Sequence, residues 1–179
     1  TQLLKLGKEP ALLFDYLHKE FFDEAKRPKV AKTIDVVYQK RSLPYAETVL
    51  KPLGLRTKLL KGLSREEMID TIHRSKCYLD LGNNPGRDRI PREAVVCGAV
   101  ALVGKFGTAD RFADVPILPE LRLNRWDVRG IRETVMEVVN NHTAYAERQS
   151  YFQEEIRSQE AEFEKQINNV ITALAGAKI

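Results

Sequence analysis

The residues best suited to chemistry gather in one stretch of the chain, Lys76 to Gly107. Within it stand Gly86, Arg87, Asp88 and Arg89, followed closely by Arg92 and Glu93. Guanidinium groups beside a helix start can bind a phosphate, because free N–H groups and the helix dipole favour an anion there. A carboxylate in the same place can hold a sugar hydroxyl. A solvated loop, with Glu93 only stabilising the first helical turn, is the plainer alternative, and composition alone leaves both open. Position after a buried strand favours binding, since ligands of open parallel sheets sit at the carboxyl ends of the strands. Lys40 and Arg41 follow an earlier apolar run and could meet a diphosphate from the other side, although adjacent charges after a strand are common. Gly107 and Thr108 follow a later run, where a glycine permits close backbone approach to a ligand or simply makes a turn.

Other chemistry finds less support. Gln39 to Pro44 carries no glycine fingerprint, which disfavours a nicotinamide dinucleotide. His18, His73 and His142 are scattered, and no motif sets a Ser or Cys nucleophile beside them. Asp80 has no acidic partner in a DxD pattern to suggest a metal. Cys77 and Cys97 form no CxxC, so zinc is disfavoured and both read as small buried hydrophobes of a reducing compartment. Neither a metal nor a separate cofactor is expected.

The elements that must position these residues follow from periodicity and punctuation. Cys77 to Leu81 reads as a buried strand, Gly82 to Arg89 as a loop, and Arg92 to Cys97 as a helix opened by Pro91 and closed by Gly98. Ala99 to Val103 is the next strand, completing a βαβ unit. Upstream, Pro10 to Ala25 reads as an amphipathic helix, Thr33 to Tyr38 as the first strand, Pro44 to Leu53 as a helix, and Arg56 to Leu60 as the second strand. Ser64 and Glu67 make a capping box for a helix reaching about Ser75. Downstream, Val115 to Leu123 holds a short edge strand broken by Pro116 and Pro119; Asp127 to Asn141 and Thr143 to Leu174 read as helices, the second a long one. Alternating strands and helices predict an α/β fold: a Rossmann-like three-layer sandwich with a mostly parallel sheet and a long C-terminal helical tail. The expected organisation is an N-terminal helical segment (1–30), a Rossmann-like core (31–125), and C-terminal helices (126–179) that pack on the core or on a partner domain.

Composition limits the function classes. The 179 residues suffice for one domain with a real core, and 43% hydrophobic with 30% charged residues describes a soluble globular chain. A net charge of +4, mixed along the chain without a basic block or aromatic interleaving, suits a phosphorylated small molecule better than nucleic acid. The longest apolar run falls far short of a membrane span, and no signal peptide is evident, so a cytoplasmic location is expected, with peripheral membrane attachment of a longer protein left open. The start at Thr1, without an initiator Met, reads as a piece of a longer protein.

Pro85 to Ala109 resembles the donor-binding, C-terminal half of GT-B glycosyltransferases. That family has a glycine loop, a Glu-Ala helix start, a Gly, a strand and a glycine turn; Gly86, Glu93-Ala94, Gly98 and Gly107 fall on these positions, and the similarity extends over about Thr33 to Leu118. Pro85 stands where the family has its first glutamate, eight residues before Glu93. The resemblance implies a nucleotide-sugar donor as substrate, no metal, and transfer to an acceptor held by a separate N-terminal domain absent from this chain. It implies that Glu93 holds the ribose hydroxyls and that Lys40, Arg41, Arg87 and Arg89 stabilise the leaving diphosphate, Arg87 and Arg89 as the catalytic pair. Gly86, Asp88, Arg92, Gly107 and Thr108 complete the expected donor contacts. A non-catalytic nucleotide-binding module and a protein-interaction domain remain as alternatives, and the apolar stripe of the C-terminal helix offers a surface for a partner domain or a homodimer.

Overall fold

The computed structural model describes residues 13–23, 30–43, 45–83, 89–107 and 115–176. Five strands form one sheet in the order β2-β1-β3-β4-β5. They are β1 (Ile34–Gln39), β2 (Thr57–Leu60), β3 (Ser75–Asp80), β4 (Val100–Gly104) and β5 (Arg122–Leu123). Every pairing among them is parallel, and Val36 lies opposite Cys77 as Tyr78 lies opposite Ala101. The helices are α1 (Tyr45–Leu50), α2 (Arg65–His73), α3 (Arg89–Val96), α4 (Val128–Asn140), α5 (His142–Arg148) and α6 (Ser150–Gly176). The fold is α/β and Rossmann-like, with the expected long C-terminal helix.

The middle strands are apolar on both faces, as a sheet covered on both sides requires. Val36, Val37, Cys77, Tyr78, Leu79 and Val100 to Val103 are all fully buried. α1 packs beside α4 on one face; α2, α3 and α6 pack together on the other. Right-handed crossovers place them so, because the chain moves outward from β1 to β2 and then back past β1 to β3. The order therefore reverses between β1 and β3, and the helices that follow these two strands leave to opposite faces. Ligands of open α/β sheets bind at the carboxyl ends of the strands at such a reversal.

Local chemistry sets the helix ends. Ser64 accepts from the Glu67 N–H at 3.2 Å while Glu67 accepts from the Ser64 N–H at 2.7 Å, the reciprocal cap expected of this tetrad. Pro91 lies in the first turn of α3, where its missing N–H costs nothing. Gly98 ends the helix in the left-handed region (φ +75°), with the Ala99 N–H reaching Ala94 O at 2.9 Å and the Gly98 N–H reaching Val95 O at 3.0 Å.

Two sequence expectations are corrected. Residues 13–18 are not helical, and only Lys19–Phe22 forms a single 3-10 turn; residues 10–12 and 24–25 lie outside the described residues. Here tertiary partners take the groups a helix would use: the Phe14 N–H donates to Gln166 Oε1 at 2.9 Å, and Asp15 O accepts from Arg92 at 3.1 Å. The short edge strand expected within Val115 to Leu123 is Arg122–Leu123, which follows the 3-10 turn that Pro119 opens. The last helix is divided at Gln149. Its side-chain amide accepts from the Ala101 N–H and donates to Ala101 O, both at 3.2 Å. β5 covers only Val103 and Gly104, so Gln149 serves the unpaired stretch of β4 as a neighbouring strand would.

α6 then packs beside α3 with Phe152 and Ile156 fully buried in the core. Its distal turns carry Ile171 and Leu174, 58% and 70% exposed. No described helix is long and apolar enough to cross a membrane.

Candidate functional site

The carboxyl edge of the sheet is organised by Asp80, the last residue of β3, whose carboxylate is completely buried. One oxygen accepts from Arg41 Nε at 2.9 Å and Arg41 Nη2, from Gln39 Nε2 at 3.0 Å and from the Tyr78 hydroxyl at 2.9 Å. The other accepts from Ser42 Oγ at 3.0 Å and the Gly82 N–H at 2.9 Å. Burial, and then the Asp80 charge beside it, push the Tyr78 phenol well up, so it remains an O–H donor. The Ser42 hydroxyl also accepts from the Leu81 N–H at 3.1 Å. A buried carboxylate is tolerated only when its lone pairs are filled, and here they bind the turn after β1 to the turn after β3. Gly82 follows from the same contact, since a Cβ there would stand 2.7 Å from Arg41 Cγ and 3.0 Å from Arg41 O.

Beside this clasp, toward α2 and α3, lies a cavity of about 440 Å³. The N-terminal residues of both helices line it: Ser64 and Arg65 of α2, Arg89, Ile90 and Glu93 of α3, with Phe21, Leu63 and Met68 giving an apolar wall. Glu93 is 4% exposed, and its Oε2 has no hydrogen-bond partner among the described residues. Its Oε1 lies 3.9 Å from Arg89 Nε, an ion-pair contact too long for a hydrogen bond. Burial raises the pKa of this carboxyl, against the opposing pull of Arg89, Arg92 and Arg65. An apolar wall, two helix starts and one under-satisfied acceptor form a recess suited to a ring bearing vicinal hydroxyls.

The structure separates the residues singled out in the sequence. Glu93 and Arg89 share the cavity. Lys40 is exposed in the turn after β1, and Arg41 beside it is committed to Asp80. Arg92 is 1% exposed and fastens α3 to the rest of the molecule: Nη2 meets Asp15 Oδ1 at 2.7 Å, and Nη1 meets Gln159 Oε1 at 2.9 Å. Gly107, beyond β4, has φ +62°, a conformation that favours glycine. Gly86, Arg87, Asp88 and Thr108 lie outside the described residues. Asp80 was missed because a lone acid in an apolar strand gives no motif; its signal was a charge at a strand end followed by Gly82. In the sequence Ser64 shows only as a helix cap.

Among solved structures, the chain matches the crystal structure of TarM, a glycosyltransferase. The likeness is one of fold. The TM-score is 0.55 at 17% identity, over 79% of this chain. The chain spans 36% of TarM's length. No protein-family model and no curated protein matches the sequence. The likeness to TarM therefore speaks for the architecture, and the side chains at the carboxyl edge must carry any argument about a ligand.

Proposed function

We propose that this chain is the nucleotide-sugar-binding domain of a glycosyltransferase that moves a sugar from a nucleoside diphosphate donor to an acceptor. The observation that carries the reading is Glu93: a buried carboxylate with one oxygen unpartnered among the described residues, on the wall of a cavity of about 440 Å³ at the carboxyl edge of a parallel sheet. A ribose diol supplies the two donors such a carboxylate needs. The apolar wall of Phe21, Leu63 and Met68 suits a flat base.

In this reading each cation has a place. Arg89 at the cavity rim and exposed Lys40 supply positive charge to the diphosphate, together with Arg87, and offset the negative charge that grows on the leaving group. Arg41 acts at one remove, holding the two turns in register through Asp80. Gly86, Asp88, Gly107 and Thr108 are taken as further contacts to the donor. The acceptor comes from a separate domain, in keeping with a chain that spans about a third of TarM.

A thermal-shift panel of nucleoside diphosphates and nucleotide sugars tests the reading, because a ligand that binds the folded state raises its stability. At least one base should raise the midpoint as a diphosphate and as a nucleotide sugar, and Arg89→Ala should weaken the diphosphate more than the free nucleoside. A panel without any shift overturns the assignment.

A further inference from the structure

A second group of side chains stands at the carboxyl edge of the sheet, on the α1 and α4 side. Tyr45 opens α1, Phe106 follows β4, and Arg125 and Trp126 follow β5. The Arg125 guanidinium carbon lies 3.3 Å from the Phe106 ring centroid, 5.0 Å from that of Trp126 and 5.4 Å from that of Tyr45. Tyr45 and Trp126 meet edge to face, 6.0 Å apart at 87°. Trp126 is 67% exposed, and the buried Nε of Arg125 has no hydrogen-bond partner among the described residues. Most tryptophans bury their large apolar ring, so an exposed one braced by a tyrosine and an arginine calls for an explanation.

We propose that Tyr45, Phe106, Arg125 and Trp126 form a platform on which a pyranose ring stacks. A pyranose presents one face of polarised C–H bonds, which match the negative face of an aromatic ring, and a rim of hydroxyls that accept from a cation. A planar nucleobase would find its recess on the other side, at Glu93, and the two groups flank the turn that carries Arg41. This assignment rests on the nucleotide-sugar reading for its donor arm: with the nucleoside at Glu93, the platform meets a sugar ring of the donor or of the acceptor.

Trp126 is the single tryptophan of the chain, so emission excited at the red edge, where tyrosine does not absorb, reports this platform alone. Two titrations separate the sources of the sugar. One compares UDP-glucose, UDP-N-acetylglucosamine and GDP-mannose with UDP and GDP. The other uses cellobiose, maltose and chitobiose at millimolar concentration without nucleotide. A donor sugar shifts the emission more than its diphosphate does; an acceptor sugar shifts it without nucleotide. For the ligand that responds, Trp126→Ala weakens binding by calorimetry about fivefold or more and leaves affinity for the plain diphosphate within about twofold, the base and phosphates lying elsewhere. Arg125→Lys, which keeps the charge and loses the planar stack, weakens the same ligand. If diphosphates bind and neither titration moves the emission, the platform is refuted and the nucleotide reading stands. If no diphosphate binds yet a disaccharide moves it, the platform stands and the nucleotide reading fails. Equal affinity of Trp126→Ala and the wild type for every responding sugar also refutes the platform.

Discussion

Glu93 serves two opposed ends. Its carboxylate is buried with one oxygen unsatisfied among the described residues, an arrangement that costs stability. A ligand diol would fill that acceptor. The raised pKa fixes the sign of the pH effect. Between the unfolded value near 4.5 and the higher folded value, the folded state binds more protons than the unfolded one, so this group makes the fold less stable as pH rises through that window. Glu93→Gln removes the effect. The ligand-free variant should melt at the same or a higher temperature than wild type at neutral pH, and the difference should narrow below about pH 4.5. Calorimetric melts from pH 3.5 to 7.5 check this, and a variant that melts well below wild type at pH 7 would mean that Glu93 supports the fold. Asp80 is the contrast: a buried carboxylate with every oxygen used. Breaking a buried ion pair from one side costs about 3–5 kcal/mol. Arg41 keeps 26% of its side chain exposed, so Asp80→Ala should fall near the lower end of that range, about 3 kcal/mol by urea unfolding. A loss under 1 kcal/mol would contradict the clasp.

At the scale of elements, Gln149 shows a side chain completing a sheet. Gln149→Leu keeps most of the volume and leaves Ala101 without its two bonds, which should cost about 1–3 kcal/mol and speed hydrogen exchange at the Ala101 amide. Unchanged protection there would show that the edge of β4 needs no cover. No pattern announced this contact. The helical period runs unbroken from Thr143 to Leu174, and the divide exists because a distant strand has a gap that only the three-dimensional sheet reveals. The same limit explains residues 13–18, whose apolar spacing suits a helix while their backbone is claimed by Arg92 and Gln166. Where local and tertiary preferences agree, the sequence was readable: the Ser64 cap, Gly98 at the helix end, and β1, β3 and β4 as apolar runs. The site was legible in the same uneven way. Glu93 and Arg89 stand where the sequence marks a helix start and line one cavity, whereas Arg92 of the same stretch is buried against Asp15 and Gln159, and Asp80 carries no motif.

At the scale of the molecule, the sheet edge holds a carboxylate recess on one side of the strand reversal, an aromatic and arginine platform on the other, and the Arg41–Asp80 clasp between them. On the nucleotide-sugar reading such an edge holds the donor and at most touches the acceptor, whose orientation needs the separate domain, and alignment supplies much of the rate of a transfer reaction. The chain by itself should therefore bind a nucleotide sugar without transferring it; robust turnover with simple saccharide acceptors, followed by product chromatography, would contradict the division of labour. The most direct test of the nucleotide site is titration calorimetry of wild type and Glu93→Gln with the responding nucleoside diphosphate at neutral pH. Hydrogen bonds to a charged group contribute about 1.5–3 kcal/mol each, and about 1.4 kcal/mol is a factor of ten. The account predicts affinity at least about tenfold weaker in the variant, with a melting temperature no lower than wild type. Equal affinity in the two folded proteins would contradict it.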